Sequence, residues 1–142
     1  MSAPSPKVVI VPCSGIGKSY GTVSREAAYQ VTQDDREQQT VLVPLALLVM
    51  GDEQSSPQLA KNQAITIDGC KLACATKMVK QSGGQVAQDF AVLDVYRRYR
   101  EYKPQGIGDL NEGGTKLSNA LAREIDAVVD RLLGVEKGVD HA

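Results

Sequence analysis

The chain has 142 residues, 42% of them hydrophobic and 23% charged, which suits one compact core and is short for two. Sixteen basic residues against seventeen acidic ones leave a net charge of −1, so no global field draws in nucleic acid or an anionic membrane. With no Trp, one Phe and a single His, the core must be aliphatic, and histidine-based chemistry has almost no material.

The opening Met1–Lys7 lacks a charged stretch followed by an apolar one, so no signal peptide is expected and the product should stay in the cytoplasm. Lys7 to Pro12 is a β-branched strand ended by proline, and Cys13 to Ser19 is a glycine-bearing turn. From Ser19, Val23, Ala27, Ala28 and Val31 fall at helical spacing, which predicts a helix of about four turns, with Thr32 to Gln39 as a polar connector.

Thr40 to Val43 reads as a second strand that Pro44 interrupts. The apolar run from Val41 to Met50 is far short of the roughly 20 residues that cross a bilayer, so it is read as core. Gly51 to Pro57 is an exposed turn before a short helix reaching Asn62, and Ala64 to Ile67 is the third strand. A helix from Lys71 carries Cys74, Ala75, Met78 and Val79 on one side and stops at Ser82-Gly83-Gly84.

Phe90 to Val95 is the fourth predicted strand, followed by a basic, tyrosine-bearing segment, Tyr96 to Lys103, and a long loop holding Pro104, Gly106, Gly108, Gly113 and Gly114. The final helix has Leu117, Leu121, Ile125, Val128 and Leu132 on one stripe and Gly134 as its stop. Strands alternating with helices predict a single α/β domain: a mostly parallel sheet of about four strands with helices on both faces. Residues 7–134 are expected to form its core, with tails at 1–6 and 135–142.

Three cysteines, an odd number, argue against a secreted disulfide framework and for reduced thiols. Cys70 and Cys74 follow the third strand and a tight turn; if a helix starts at that turn, residues four apart share a face and both sulfurs point at one spot. Such a spot lies at the carboxyl end of a strand, where open α/β sheets bind ligands, and a helix N-terminus favours thiolate over thiol. Cys13 follows another strand, and if the two strands are neighbours, all three sulfurs share one rim. Asp68 has two compatible roles, as helix cap and as oxygen ligand to a metal held by the sulfurs.

Other constellations are weaker. The Cys13 turn is rich enough in glycine to bind an anion, but Pro12 stands where a Walker A loop needs glycine, and Ser19 where a phosphatase loop needs arginine. His141 is next to last in a polar tail and is not expected to be a ligand. Arg97, Arg98, Arg100 and Lys103, interleaved with Tyr96, Tyr99 and Tyr102, read as a solvated edge more than as an RNA surface.

Val8 to Lys18 (VVIVPCSGIGK), Ala46 to Asp52 (ALLVxGD) and Ile67 to Ala75 (IDGCxxxCA) together resemble the DGC-domain proteins, small proteins associated with zinc binding. The resemblance spans nearly the whole chain. It implies a Zn²⁺ site of four cysteines, three of which match Cys13, Cys70 and Cys74. The fourth is expected just before Leu45-Ala46, where this chain has Pro44, leaving a three-thiolate site open to water, Asp68, a substrate or a side chain of a partner, including a second copy in a homodimer. The leading expectation is metal binding without turnover. A thiol enzyme with Cys13 or Cys70 as nucleophile is the alternative, and an interaction module with inert cysteines is the third. Because the chain has a core of its own, the metal-free protein is expected to stay folded.

Overall fold

Val8–Pro12 (β1) is buried along its whole length, as a β-branched run should be when helices cover both faces of a parallel sheet. The computed structural model describes residues 7–13, 18–69 and 71–134; the tails expected at 1–6 and 135–142, with His141, lie outside the described residues, as do residues 14–17 of the expected turn. β1 pairs in parallel with Thr40–Leu42 (β2) on one side and with Gln63–Asp68 (β3) on the other. β3 pairs in parallel with Gln85–Ala91 (β4), so the sheet runs β2-β1-β3-β4. The expected α/β architecture is the one observed.

Side chains alternate across a strand, and here the alternation divides the core in two. Val8 and Ile10 of β1 with Ile65 and Ile67 of β3 face Ser19–Tyr29 (α1), Val92–Arg98 (α5) and Glu112–Leu133 (α6). Val9 and Val11 with Ala64 face Leu45–Met50 (α2), Ser55–Lys61 (α3) and Cys74–Gln81 (α4). The chain therefore leaves β1 over one face and leaves β3 over the other. Between two adjacent strands whose exits diverge, the carboxyl edge of an open sheet has a crevice, and that is where such sheets bind ligands.

Five local expectations need correction. The helix predicted from Lys71 begins at Cys74. The helix expected to run through Val31 is an α-helix to Tyr29 and continues as a π-helix, Gln30–Asp35, into the residues read as polar connector: Val31 and Thr32 are buried, with the Thr32 hydroxyl donating to the Ala28 carbonyl at 2.9 Å, while Gln33 and Asp34 face solvent. The fourth strand is Gln85–Ala91 and not Phe90 to Val95. It is an edge strand whose positions alternate between exposed and half-buried, so it carries no apolar run, whereas Val92 and Val95 are spaced for a helix face and are buried on α5.

The run from Val41 to Met50 is core only in part: Val43 and Leu48 are buried, but Val49 and Met50 are 67% and 75% exposed. Gly113 and Gly114 belong to α6, not to the loop before it. Asn111 starts that helix by accepting from the Gly114 N–H at 2.7 Å, and it also accepts from the Gln105 N–H and donates to the Lys103 carbonyl. One side chain thus caps the helix and closes the loop. The tyrosines of the basic segment are not a free stacking surface, since Tyr96, Tyr99 and Tyr102 pack against the core. Among the described residues, no helix is long and apolar enough to cross a membrane.

Candidate metal centre

The topology puts that crevice where β1 and β3 end side by side. The Cys13 N–H donates to the Ile67 carbonyl at 2.7 Å, one residue past the last paired positions, Pro12 and Ile67. Cys13 is thereby held alongside Asp68, and it is buried, with 5% of its surface exposed. Its carbonyl accepts from the Ser24 hydroxyl on α1 at 3.2 Å. The turn leaving β3 lies tight against the same helix: a Cβ on Gly69 would sit 3.1 Å from the Gly21 nitrogen. Glycine at 69 is what lets the two exits approach.

Asp68 is buried and acts as a cap at a distance. Its Oδ1 accepts from the Ala75 N–H at 2.8 Å and its Oδ2 from the Thr76 hydroxyl at 2.6 Å, so the carboxylate satisfies a free N–H in the first turn of α4. Because the Thr76 proton goes to Asp68, the Thr66 hydroxyl, 2.7 Å away, donates to Thr76. Thr66 and Thr76 were not singled out from sequence; the available signal was that Thr66, two residues before Asp68, points to the same face of β3.

Cys74 is the first residue of α4, exposed and not in a disulfide; Cys13 is likewise a free thiol. The residue before Cys74, Ala73, adopts a left-handed conformation (φ 54°, ψ 47°), which costs an L-residue of order 1 kcal/mol. Residues 71–73 therefore precede the helix, which does not reach back from Cys74 as the expected shared helix face requires. Cys70 itself lies outside the described residues. What the structure brings together is Cys13, Asp68 and the N-terminus of α4, linked through the β1–β3 pairing and the Asp68 cap. Replacing Asp68 by Ala strands the Ala75 N–H and the Thr76 hydroxyl and should cost about 2 kcal/mol in urea melts. Asp68→Asn, which keeps an acceptor, should cost about half as much.

Pro44, standing where the resemblance places a fourth cysteine, lines a cavity of about 90 Å³ together with Cys13 and Leu42. The position is thus beside Cys13 at the end of β2, but a prolyl ring offers no donor atom. Cys13, Asp68 and Cys74 are all described, and among the described residues no group of three or more His, Cys, Asp or Glu could hold a metal ion; a shared centre needs both Cys70 and a closer approach of these side chains. The donor set fits a soft ion in kind: thiols are the ligands that zinc and similar metals select.

The fold and this rim define an α/β domain with a thiol-bearing crevice at the carboxyl edge of its sheet. The family model for the DGC domain matches residues 9–132, and the chain belongs to that family. No curated protein and no solved structure matches it significantly.

Proposed function

We propose that this DGC-domain protein binds one zinc ion at the β1–β3 crevice through the thiolates of Cys13, Cys70 and Cys74. The fourth position is filled by an oxygen, from Asp68 or from water. A carboxylate that accepts two hydrogen bonds retains lone pairs, so Asp68 can cap α4 and ligate together. The observation that carries the reading is that Asp68 stands in line with Cys13 and is hydrogen-bonded to the residue after Cys74. With water in the fourth position, three protein ligands suit metal carriage, sensing or Lewis-acid chemistry better than a closed structural site. A reducing compartment such as the cytoplasm keeps such thiols available.

The test is a titration of anaerobic, metal-free protein with Co²⁺ as a spectroscopic stand-in for zinc. Thiolate-to-metal absorption should saturate at one ion per chain and be lost in Cys13→Ser and in Cys74→Ser. Absorption that never saturates, or that survives both substitutions, contradicts the assignment. Asp68→Asn should shift the ligand-field bands if Asp68 is the oxygen donor and leave them in place if water is.

Both faces of the sheet carry an apolar core that involves no metal. In zinc-finger peptides the ion contributes about 10–16 kcal/mol of folding energy because little else does. Here the far-UV circular dichroism should be unchanged when a chelator removes the metal. Collapse of the helical signal on chelation would make the centre structural and overturn the open-site reading.

A further inference from the structure

The chain leaves β3 toward α4 on one face of the sheet and leaves β4 toward α5 on the other. The carboxyl edge between these two adjacent strands is therefore a second crevice, formed for the same topological reason as the one between β1 and β3. A cavity of about 380 Å³ lies in it, lined by the last residues of the two strands, Asp68 and Ala91, by Lys71 and by the start of α5. Asp68 belongs to the strand that the two crevices share.

Asp68, Asp94, Lys71 and Arg97 line this cavity, so its formal charges cancel, but the two signs are not equally free. Asp68 is buried and spends one oxygen on the Ala75 N–H and the other on the Thr76 hydroxyl. Asp94 accepts from Arg97 Nη1 at 2.8 Å, in an exposed pair of the kind that contributes little to stability. Arg97 keeps its Nε and Nη2 donors clear of that bond. Lys71 is exposed and forms no ion pair among the described residues. Ala91 and Leu93 add an apolar wall beside these donors.

We propose that the β3–β4 crevice binds a small organic anion, with its carboxylate or phosphate group between Lys71 and Arg97 and its carbon skeleton against Ala91 and Leu93. A site whose carboxylates are engaged and whose cationic donors are open selects an oxyanion, because charge-assisted hydrogen bonds from guanidinium and ammonium groups are the strong ones and a guanidinium can meet two oxygens at once. The apolar wall favours an organic anion over an inorganic one, and the volume lies in the range of small-molecule sites. The groups that hold the anion are separate from the thiols, so the assignment does not rest on the zinc centre.

The experiment is isothermal calorimetry of the whole protein at low ionic strength with two probes, glycerophosphate and succinate. At least one should bind saturably, one per chain, and the tighter of the two identifies the head group. Lys71→Gln with Arg97→Gln should weaken that binding about tenfold. Lys7→Gln with Lys61→Gln, which removes the same charge at the opposite, amino edge of the sheet, should bind as wild type does, and so should Cys74→Ser. Absence of saturable binding by both probes, wild-type affinity in the Lys71 and Arg97 variant, or equal weakening in the two double variants overturns the site. Loss of binding in Cys74→Ser overturns it as well, because the anion would then sit on the metal; anion binding that persists in a protein found to take up no zinc supports this site and sinks the zinc reading alone.

Discussion

Replacing Gly113 by alanine is expected to destabilise the domain by about 3 kcal/mol, at the upper end of what overpacking usually costs. A Cβ at this position would lie 1.5 Å from the Tyr102 carbonyl oxygen, and a backbone carbonyl cannot swing aside as a flexible side chain can. The favourable helix propensity of alanine returns about 1 kcal/mol at most, so the clash wins. Relief requires the first turn of α6 to separate from Arg100–Tyr102, a short 3₁₀ turn, and the Asn111 bonds that close the intervening loop would be pulled with it. At Gly114 the nearest atoms are 3.0 Å away and include the Leu110 side chain, so Gly114→Ala should cost clearly less. Urea melts of the two variants measure the difference. Equal midpoints would contradict the close contact at Gly113.

The second large effect depends on pH. Asp126 titrates near 7 in the folded chain against an ordinary value of 3.8, chiefly through burial and then through Asp35. A group whose folded pKa is raised stabilises the native state fully below its unfolded value and loses that contribution as pH climbs to the folded one. Wild type should therefore weaken between about pH 4 and pH 7 on account of this group. Asp126→Asn, which retains an N–H donor for Asp35 but cannot ionise, should not. The variant is expected to match wild type near pH 4 and to exceed it by about 2 kcal/mol at pH 8, less than the full shift because solvent screens the neighbouring carboxylates. Thermal melts at the two pH values decide the matter; a variant that is less stable than wild type at pH 8 refutes the raised titration of Asp126.

The elements that followed the chain's own apolar spacing were legible. β1 and β3 are β-branched runs, and α6 shows its stripe of Leu117, Leu121 and Ile125, all fully buried. β4 was misplaced because an edge strand needs no apolar run, and Gln85 to Asp89 gives none. The π-helix was invisible because the polar run from Thr32 masks both the burial of Thr32 and the continuation of the helix to Asp35. At the site, the placing of Cys13 beside the end of β3 followed from two strand-turn units once the strands proved adjacent. The start of α4 did not, because Ala73 in a left-handed conformation has no sequence signature of the kind glycine leaves. Asp68 is the expected cap, but it reaches past the turn to Ala75 and Thr76 because α4 starts only at Cys74.

Whether Cys13, Cys70 and Cys74 form one chelating centre is tested most directly by metal analysis of anaerobically purified wild type beside Cys70→Ser, with thiol alkylation followed on the same samples. Wild type should hold close to one zinc per chain and react slowly until a chelator is added, while Cys70→Ser should arrive without metal and react at once. Metal-free wild type in which a single cysteine alkylates rapidly at neutral pH would contradict the shared centre and favour thiol chemistry instead.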